Sequence, residues 1–236
     1  MTPSAQRGSH DWRNDHRDCS ESPVTRVILI RHAETPWNRE RRIQGHIDTP
    51  LSEAGRAQAA ALGRRLADGG FSALYSSDLS RARETARAIA ERSRREILSD
   101  ARLRERSFGI FEGLTYAEMA ERHPEDFARF DARDPDYVMP GGESARAFWE
   151  RCLACLGEIG ERHAGAEVVV VTHGLVLDAV YREAHGLGHH EPRPVPLVNA
   201  SINVFSYEDG MWRMESWGDV AHLAPGLVTR YEGRRR

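Results

Sequence analysis

Two histidines in this chain each stand directly behind a run of β-branched residues. His32 follows Val27-Ile28-Leu29-Ile30-Arg31, and His173 follows Val168-Val169-Val170-Val171-Thr172. Short apolar runs of this kind read as buried strands. A third run, Ala73-Leu74-Tyr75-Ser76, leads within a few residues to Arg81 and Arg83. In an open α/β sheet, ligands bind outside the carboxyl ends of the strands. Two imidazoles and at least two guanidiniums can therefore meet in one crevice. Such a crevice suits a small, multiply charged anion, because guanidinium is a planar fork that pairs bidentately with phosphate oxygens. Neutral imidazole is a competent nucleophile near pH 7, so one histidine can attack phosphorus while the other donates to a phosphoryl oxygen. The departing alkoxide then needs a proton. Glu105, in Leu103-Arg104-Glu105-Arg106, is the candidate donor, since a carboxyl beside a phosphate dianion is held protonated. Glu112 and Glu118 are nearby carboxylates of the same type.

The elements that must position these groups are legible in outline. Ser52 offers an N-cap to an Ala- and Arg-rich helix over Glu53–Ala67, which Asp68-Gly69-Gly70 stops. A second helix is expected over Leu79–Arg92, and a long amphipathic one over Glu143–Arg162 after Pro140-Gly141-Gly142. Another runs from Gly174 to about His185. Thr115–Arg122 and Glu125–Arg133 read as short helices punctuated by Pro124 and Pro135. Ser201–Tyr207 and Trp212–Trp217 flank Asp209-Gly210, a hairpin signal. Strands alternating with helices predict an α/β fold with a mainly parallel sheet. Residues 107–142 read as an inserted cap over the site.

Composition narrows the chemistry further. The chain has 236 residues with 40% hydrophobic and 29% charged, and a net charge of −3, a soluble globular balance that speaks against a nucleic-acid binder. No apolar run approaches the roughly 18 residues of a membrane span. All 33 positive side chains are arginine. A Schiff-base lysine, a pyridoxal-phosphate lysine and a P-loop lysine are thus excluded. Residues 1–22 are polar, lack the apolar core of a secretory signal, and read as a disordered leader. The three cysteines, Cys19, Cys152 and Cys155, are no disulfide framework, and a cytoplasmic location is expected. Cys152 and Cys155 form C-x-x-C, yet at i, i+3 in an amphipathic helix they read as buried structural thiols. His185, His189 and His190 lie among Gly and Pro and read as loop rather than as a metal cluster. Trp37 is expected at the mouth of the site, and Trp149, Trp212 and Trp217 in core or interface positions.

Six motifs taken together resemble the histidine phosphatase superfamily, also called the phosphoglycerate mutase-like family. They are Arg31-His32-Ala33-Glu34-Thr35-Pro36-Trp37-Asn38, Gln44-Gly45-His46-Ile47-Asp48, Ser76 through Ala86, Leu103 through Gly109, Pro140-Gly141-Gly142-Glu143-Ser144, and Val171-Thr172-His173-Gly174. They span residues 26–222 in the family's order. The resemblance implies a phosphoglycerate mutase-like three-layer sandwich with a small helical cap, forming a single domain over residues 23–236. It implies that His32 becomes a phosphohistidine. Arg31, Arg81 and His173 would bind and stabilise the transferring group, with Asn38 adding a hydrogen bond. Glu105 would act as proton donor and then as base toward water. Thr35, Gln44, Gly45, Arg83 and the Gly174 backbone would contact phosphate or substrate. Neither metal nor cofactor is implied. One position departs from the common pattern: Ala33 stands where relatives usually carry Gly, and would strain the turn if a positive φ were needed.

The superfamily divides into enzymes that pass the phosphoryl group to water and mutases that return it to a second hydroxyl. The mutases typically carry Thr-Gly where this chain has Gln44-Gly45, a lysine after the glutamate motif, and an adjacent arginine pair further on. This chain has no lysine, and Arg122, Arg129 and Arg133 are not adjacent. The broad phosphatase branch, which includes the α-ribazole-5′-phosphate phosphatases, fits better. The expected partner is a small phosphorylated substrate, and an edge strand or a Trp-bearing helix offers a homodimer interface. A phosphoglycerate-type mutase is the runner-up, and a non-catalytic phospho-ligand binding module is a third reading.

Overall fold

A computed structural model describes residues 23–192 and 195–231. The expected leader, with Cys19, lies outside the described residues. Six strands form one sheet: β1 (Thr25–Arg31), β2 (Ala73–Ser76), β3 (Ile97–Ser99), β4 (Glu167–Thr172), β6 (Ile202–Glu208) and β7 (Met211–Asp219). Their spatial order is β3-β2-β4-β1-β6-β7. β1, β2, β3 and β4 run parallel, and β6 and β7 add antiparallel strands at one edge. β5 (Leu197–Val198) and β8 (Arg230–Tyr231) form a separate two-residue ladder.

Alternation along the central strands builds two cores, because successive side chains point to opposite faces. Val27, Leu29, Val168 and Val170 face α6 (Ala145–Arg162) and α7 (Gly174–His185). Ile28, Ile30, Val169 and Val171 face α2 (Glu53–Arg65) and α3 (Ser80–Ser93). The chain is therefore a three-layer α/β sandwich with a mainly parallel sheet, as expected. A third, smaller cluster of Phe108, Phe111, Met119, Tyr137 and Met139 lies within the 107–142 segment. It carries α4 (Tyr116–Arg122) and α5 (Pro124–Asp131), the two short helices of this segment. Among the described residues, no helix is long and apolar enough to cross a membrane.

The differences from expectation are small and have local causes. β3 has only three residues and its Leu98 is exposed, so it carries no burial pattern to read. α6 begins two residues later than expected, because Ser144 caps it by accepting from Ala147 N at 3.1 Å. α1 (Pro36–Glu40), which periodicity did not suggest, forms because Thr35 and Asn38 make a capping box and Pro36 sets the first turn. The hairpin turn at Asp209-Gly210 has positive φ at both residues, 49° and 80°.

Candidate active site

The register of β1 against β4 creates the site. Ile30 pairs with Val171 and Arg31 with Thr172, so the next residues, His32 and His173, emerge side by side at the carboxyl end of the sheet. Their ring centroids are 5.3 Å apart. Both side chains are buried, at 3% and 0% exposure. Burial, with Arg81 and Arg31 nearby, holds both imidazoles well below the ordinary histidine pKa, so both are neutral.

Hydrogen-bond accounting assigns the tautomers. His32 Nδ1 lies 2.7 Å from Ala33 O, an acceptor only, so Nδ1 carries the proton and Nε2 keeps its lone pair. His173 Nε2 lies 2.8 Å from Ser77 Oγ, which already accepts from Leu79 N. Donation from this hydroxyl to Nε2 puts the proton of His173 on Nδ1. That Nδ1 is buried without a partner among the described residues.

Backbone carbonyls anchor both guanidiniums. Arg31 Nη1 donates to Leu197 O at 2.9 Å. Arg81, 1% exposed, donates from Nη1 to Ile47 O at 3.0 Å and from Nη2 to Gly45 O at 2.7 Å. Its Nε is buried with no acceptor among the described residues, and burial brings its pKa down to about 10, still cationic at neutral pH. Positive charge gathered at the end of the sheet is what an anion site needs. Gly174 makes room for this: a Cβ there would stand 3.4 Å from Arg31 Nε and 3.1 Å from Leu197 Cδ1.

Glu105 closes the site from the cap side. Its Oε1 accepts from Arg106 N at 2.9 Å and its Oε2 from Leu175 N, in the first turn of α7, at 3.3 Å. Burial raises its pKa despite those bonds and despite Arg81 and Arg31 nearby. The two alternative carboxylates are committed elsewhere. Glu112 Oε1 takes His46 N and Phe108 N, at 3.0 and 2.9 Å. Glu118 caps α4 and pairs with Arg42, which bring its pKa down to about 2.

Thr35, Asn38 and Gln44 form a linked polar wall. Asn38 Oδ1 accepts from Thr35 N at 2.9 Å, and Gln44 Oε1 accepts from Thr35 Oγ1 at 3.0 Å and Thr49 Oγ1 at 2.5 Å. The amide nitrogens of Asn38 and Gln44 have no acceptor among the described residues. Arg83 does not join the group. It is exposed and faces a polar hollow lined by Asp48, Asp78, Ser80, Glu84 and Arg87. Two residues along a helix is a rotation of about 200°, so Arg81 and Arg83 face nearly opposite ways. Ala33 is also resolved: it has no positive φ, and its N–H donates to Thr85 Oγ1 at 3.0 Å, so the methyl group brings no strain.

The superfamily model "Histidine phosphatase superfamily (branch 1)" matches residues 27–220. The chain belongs to the histidine phosphatase superfamily. Phosphoglycerate mutase-like protein 4 of Arabidopsis thaliana is 41% identical over 210 residues, covering 87% of this chain and 90% of that one. The metal-independent phosphoserine phosphatase of the same plant is 39% identical over 228 residues, covering 91% and 93%. Among solved structures, mycobacterial glucosyl-3-phosphoglycerate phosphatase superposes with a TM-score of 0.70 at 31% identity, over 83% of this chain and 99% of that one.

Several side chains of this histidine phosphatase escape sequence reasoning. Ser77 lies within the Ser76–Ala86 motif, but nothing in the sequence pairs its Oγ with His173 Nε2, 2.8 Å away. Asn199, fully buried, donates to His32 O at 3.0 Å from 167 residues away. Other motif-like residues fall outside the site. Cys152 and Cys155 are buried free thiols, and burial pushes the Cys155 thiol up to about 12. His185 stacks on Tyr181 and His189 on Trp149. Among the described residues, no group of three His, Cys, Asp or Glu is placed to hold a metal. Trp37 packs at the rim toward Gly113 and Ile47.

Proposed function

We propose that this histidine phosphatase is a phosphomonoester hydrolase that works through a phosphohistidine on His32, with neither metal nor cofactor. The observation that carries this reading is His32 itself: a neutral, buried imidazole with Nδ1 committed to Ala33 O, leaving Nε2 free between Arg31, Arg81 and His173. Nε2 attacks phosphorus as the bond to the ester oxygen breaks. Protonated Glu105 gives its proton to the departing alkoxide. Arg31, Arg81, His173 Nδ1–H and Asn38 Nδ2 meet the charge on the phosphoryl oxygens, the role a metal plays elsewhere. Glu105, now a carboxylate, takes a proton from water, whose oxygen attacks phosphorus and releases phosphate and free His32.

Arg106 points to the leaving group. It is 8% exposed, beside Glu105, and spends Nε and Nη2 on Glu143 O, leaving Nη1 uncommitted. A buried guanidinium edge beside the proton donor favours alcohols that carry an anionic group. That agrees with the relatives named for phosphoserine and glucosyl-3-phosphoglycerate. The likeness to a phosphoglycerate mutase-like protein supports a second reading, in which the phosphoryl group returns to another hydroxyl.

The test is phosphate release in EDTA from p-nitrophenyl phosphate, phosphoserine, 3-phosphoglycerate, sugar phosphates, nucleotides and α-ribazole phosphate. Hydrolysis persists in EDTA on the hydrolase reading, strongest for the carboxylated esters. Isomer exchange stimulated by a bisphosphorylated primer, with little free phosphate, favours the mutase. Saturable phosphate binding without turnover of any ester favours a binding module.

A further inference from the structure

The four residues from Leu197 to Ala200 lie behind His32 and two of the groups that surround it, Arg31 and Asn38. Leu197 O accepts from the Arg31 guanidinium at 2.9 Å, and Ala200 N donates to Arg31 O at 3.1 Å. Asn199 Nδ2 donates to His32 O at 3.0 Å and to Asn38 Oδ1 at 3.3 Å. Asn199 is 0% exposed, and its backbone N–H is spent on Thr229 O at 3.1 Å.

Donor and acceptor chemistry fixes both amides. A carbonyl oxygen only accepts, so the Asn199 atom against His32 O is the nitrogen. A backbone N–H only donates, so the Asn38 atom 2.9 Å from Thr35 N is the oxygen. Asn38 Oδ1 is thus held from two sides, by Thr35 N and Oγ1, at 2.9 and 3.1 Å, at the N-cap of its helix and by Asn199 from the other end of the chain. Donors from Thr35 alone hold one side of the amide and leave it free to swing; a donor from the second side defines its plane. The opposite corner of that plane is Nδ2, the atom with no acceptor among the described residues.

We propose that Asn199 is a positioning residue for phosphoryl transfer: by holding the oxygen edge of Asn38, it aims Asn38 Nδ2 at the phosphoryl oxygens beside His32. This inference rests on the reading that His32 takes up the phosphoryl group. Asn199 touches no reacting atom and acts through Asn38. A swung amide would turn its oxygen toward an anion and convert an attraction into a repulsion.

The experiment is a double-mutant cycle on the full chain, with Asn38→Ala, Asn199→Ala and both together. It reads kcat and KM for p-nitrophenyl phosphate, inhibition by orthovanadate, and thermal melting. Asn199→Ala is expected to lower kcat by about tenfold, the scale on which small misplacements act, with KM little changed. Orthovanadate inhibition weakens in parallel. In the Asn38→Ala background the same substitution costs no further activity, since the group it positions is gone. Equal losses in both backgrounds overturn the proposal and leave Asn199 a packing residue. Asn199→Ser covers the case in which the alanine variant folds poorly: it leaves a hydroxyl in the cavity but does not reach Asn38. It is expected to match the kcat of Asn199→Ala, and wild-type kcat in it overturns the proposal. A wild-type enzyme that neither hydrolyses the ester nor binds orthovanadate fails the hydrolase reading itself, and this inference with it.

Discussion

Burial acts on His32 and Glu105 in opposite directions, lowering the pKa of the imidazole and raising that of the carboxyl. The imidazole loses its proton because its charged form is desolvated next to two guanidiniums. The carboxyl holds its proton to higher pH than an exposed one because its charged form is desolvated too. A nucleophile without a proton and an acid with one are the two states that the first chemical step requires. The pH profile follows with definite signs. Activity on an alkyl phosphate falls on the acid side as pH drops through the pKa of His32, below the ordinary histidine value. It falls on the alkaline side as pH rises through the pKa of Glu105, above the ordinary carboxylate value. Glu105→Gln should lower kcat by about 10²–10⁴-fold on alkyl phosphates and abolish the alkaline limb. The loss is smaller with p-nitrophenyl phosphate, whose phenolate needs no proton; steady-state kinetics across pH checks both. Stability gives an independent reading of the same group. The folded state disfavours Glu105 carboxylate, so stability present at acid pH is lost as pH rises through the raised pKa. Glu105→Gln should therefore melt higher than the wild type at pH 8 and equally at pH 4.

The loop that carries Gln44, Gly45 and His46 is held between two charged partners, and Gly45 is its tightest point. Arg81 donates to Gly45 O, and Glu112 receives His46 N while also tying in Phe108 N. Gly45 has φ of 52°, and a Cβ there would stand 2.1 Å from Glu112 Oε1. Gly45→Ala should cost about 1–3 kcal/mol from the left-handed backbone and the displaced carboxylate. It should also lower kcat, because Arg81 loses an anchor; urea unfolding and kinetics measure the two effects separately. At this scale the sequence was informative where one element carries its own pattern. The strands before His32 and His173 were readable from their valine and isoleucine runs, and the start of α2 from the capping chemistry of Ser52. It was misleading where neighbours in a motif part ways in space. Arg83 belongs to the same helix as Arg81 yet faces outward. Glu34 lies two residues from His32 yet is a buried staple for Ser52 and Thr229. Ser77 and Asn199 were invisible because a polar residue near a strand end says nothing about which distant group it will meet.

The whole molecule divides its hydrophobic burial between two large cores, one on each face of the sheet, and a small aromatic cluster in the cap. Phe108, Phe111, Tyr116, Phe127 and Phe130 hold that cluster together through ring contacts of 5.6 to 6.4 Å. Elements with few buried apolar contacts open first. Amides of α4 and α5 should therefore exchange hydrogen well before those of β1 and β4. Phe130→Ala should speed exchange across residues 116–131 and leave the central strands unchanged. Mass-resolved exchange on the intact protein checks this. The same division places Arg31, His32 and His173 at the ends of the central strands and Arg81 in the first turn of α3, while Glu105 and Arg106 lie directly before the 107–142 segment. Substitutions in the cap should then alter which alcohol is accepted more than whether phosphorus is attacked.

The most direct test of this account is to trap the enzyme during turnover of p-nitrophenyl phosphate in EDTA and locate the phosphoryl group by peptide mass spectrometry. The account predicts one phosphoryl group on His32, labile to acid and stable to alkali, and absent from His32→Ala. Steady hydrolysis by His32→Ala, or a phosphoryl group on any other residue, would contradict it.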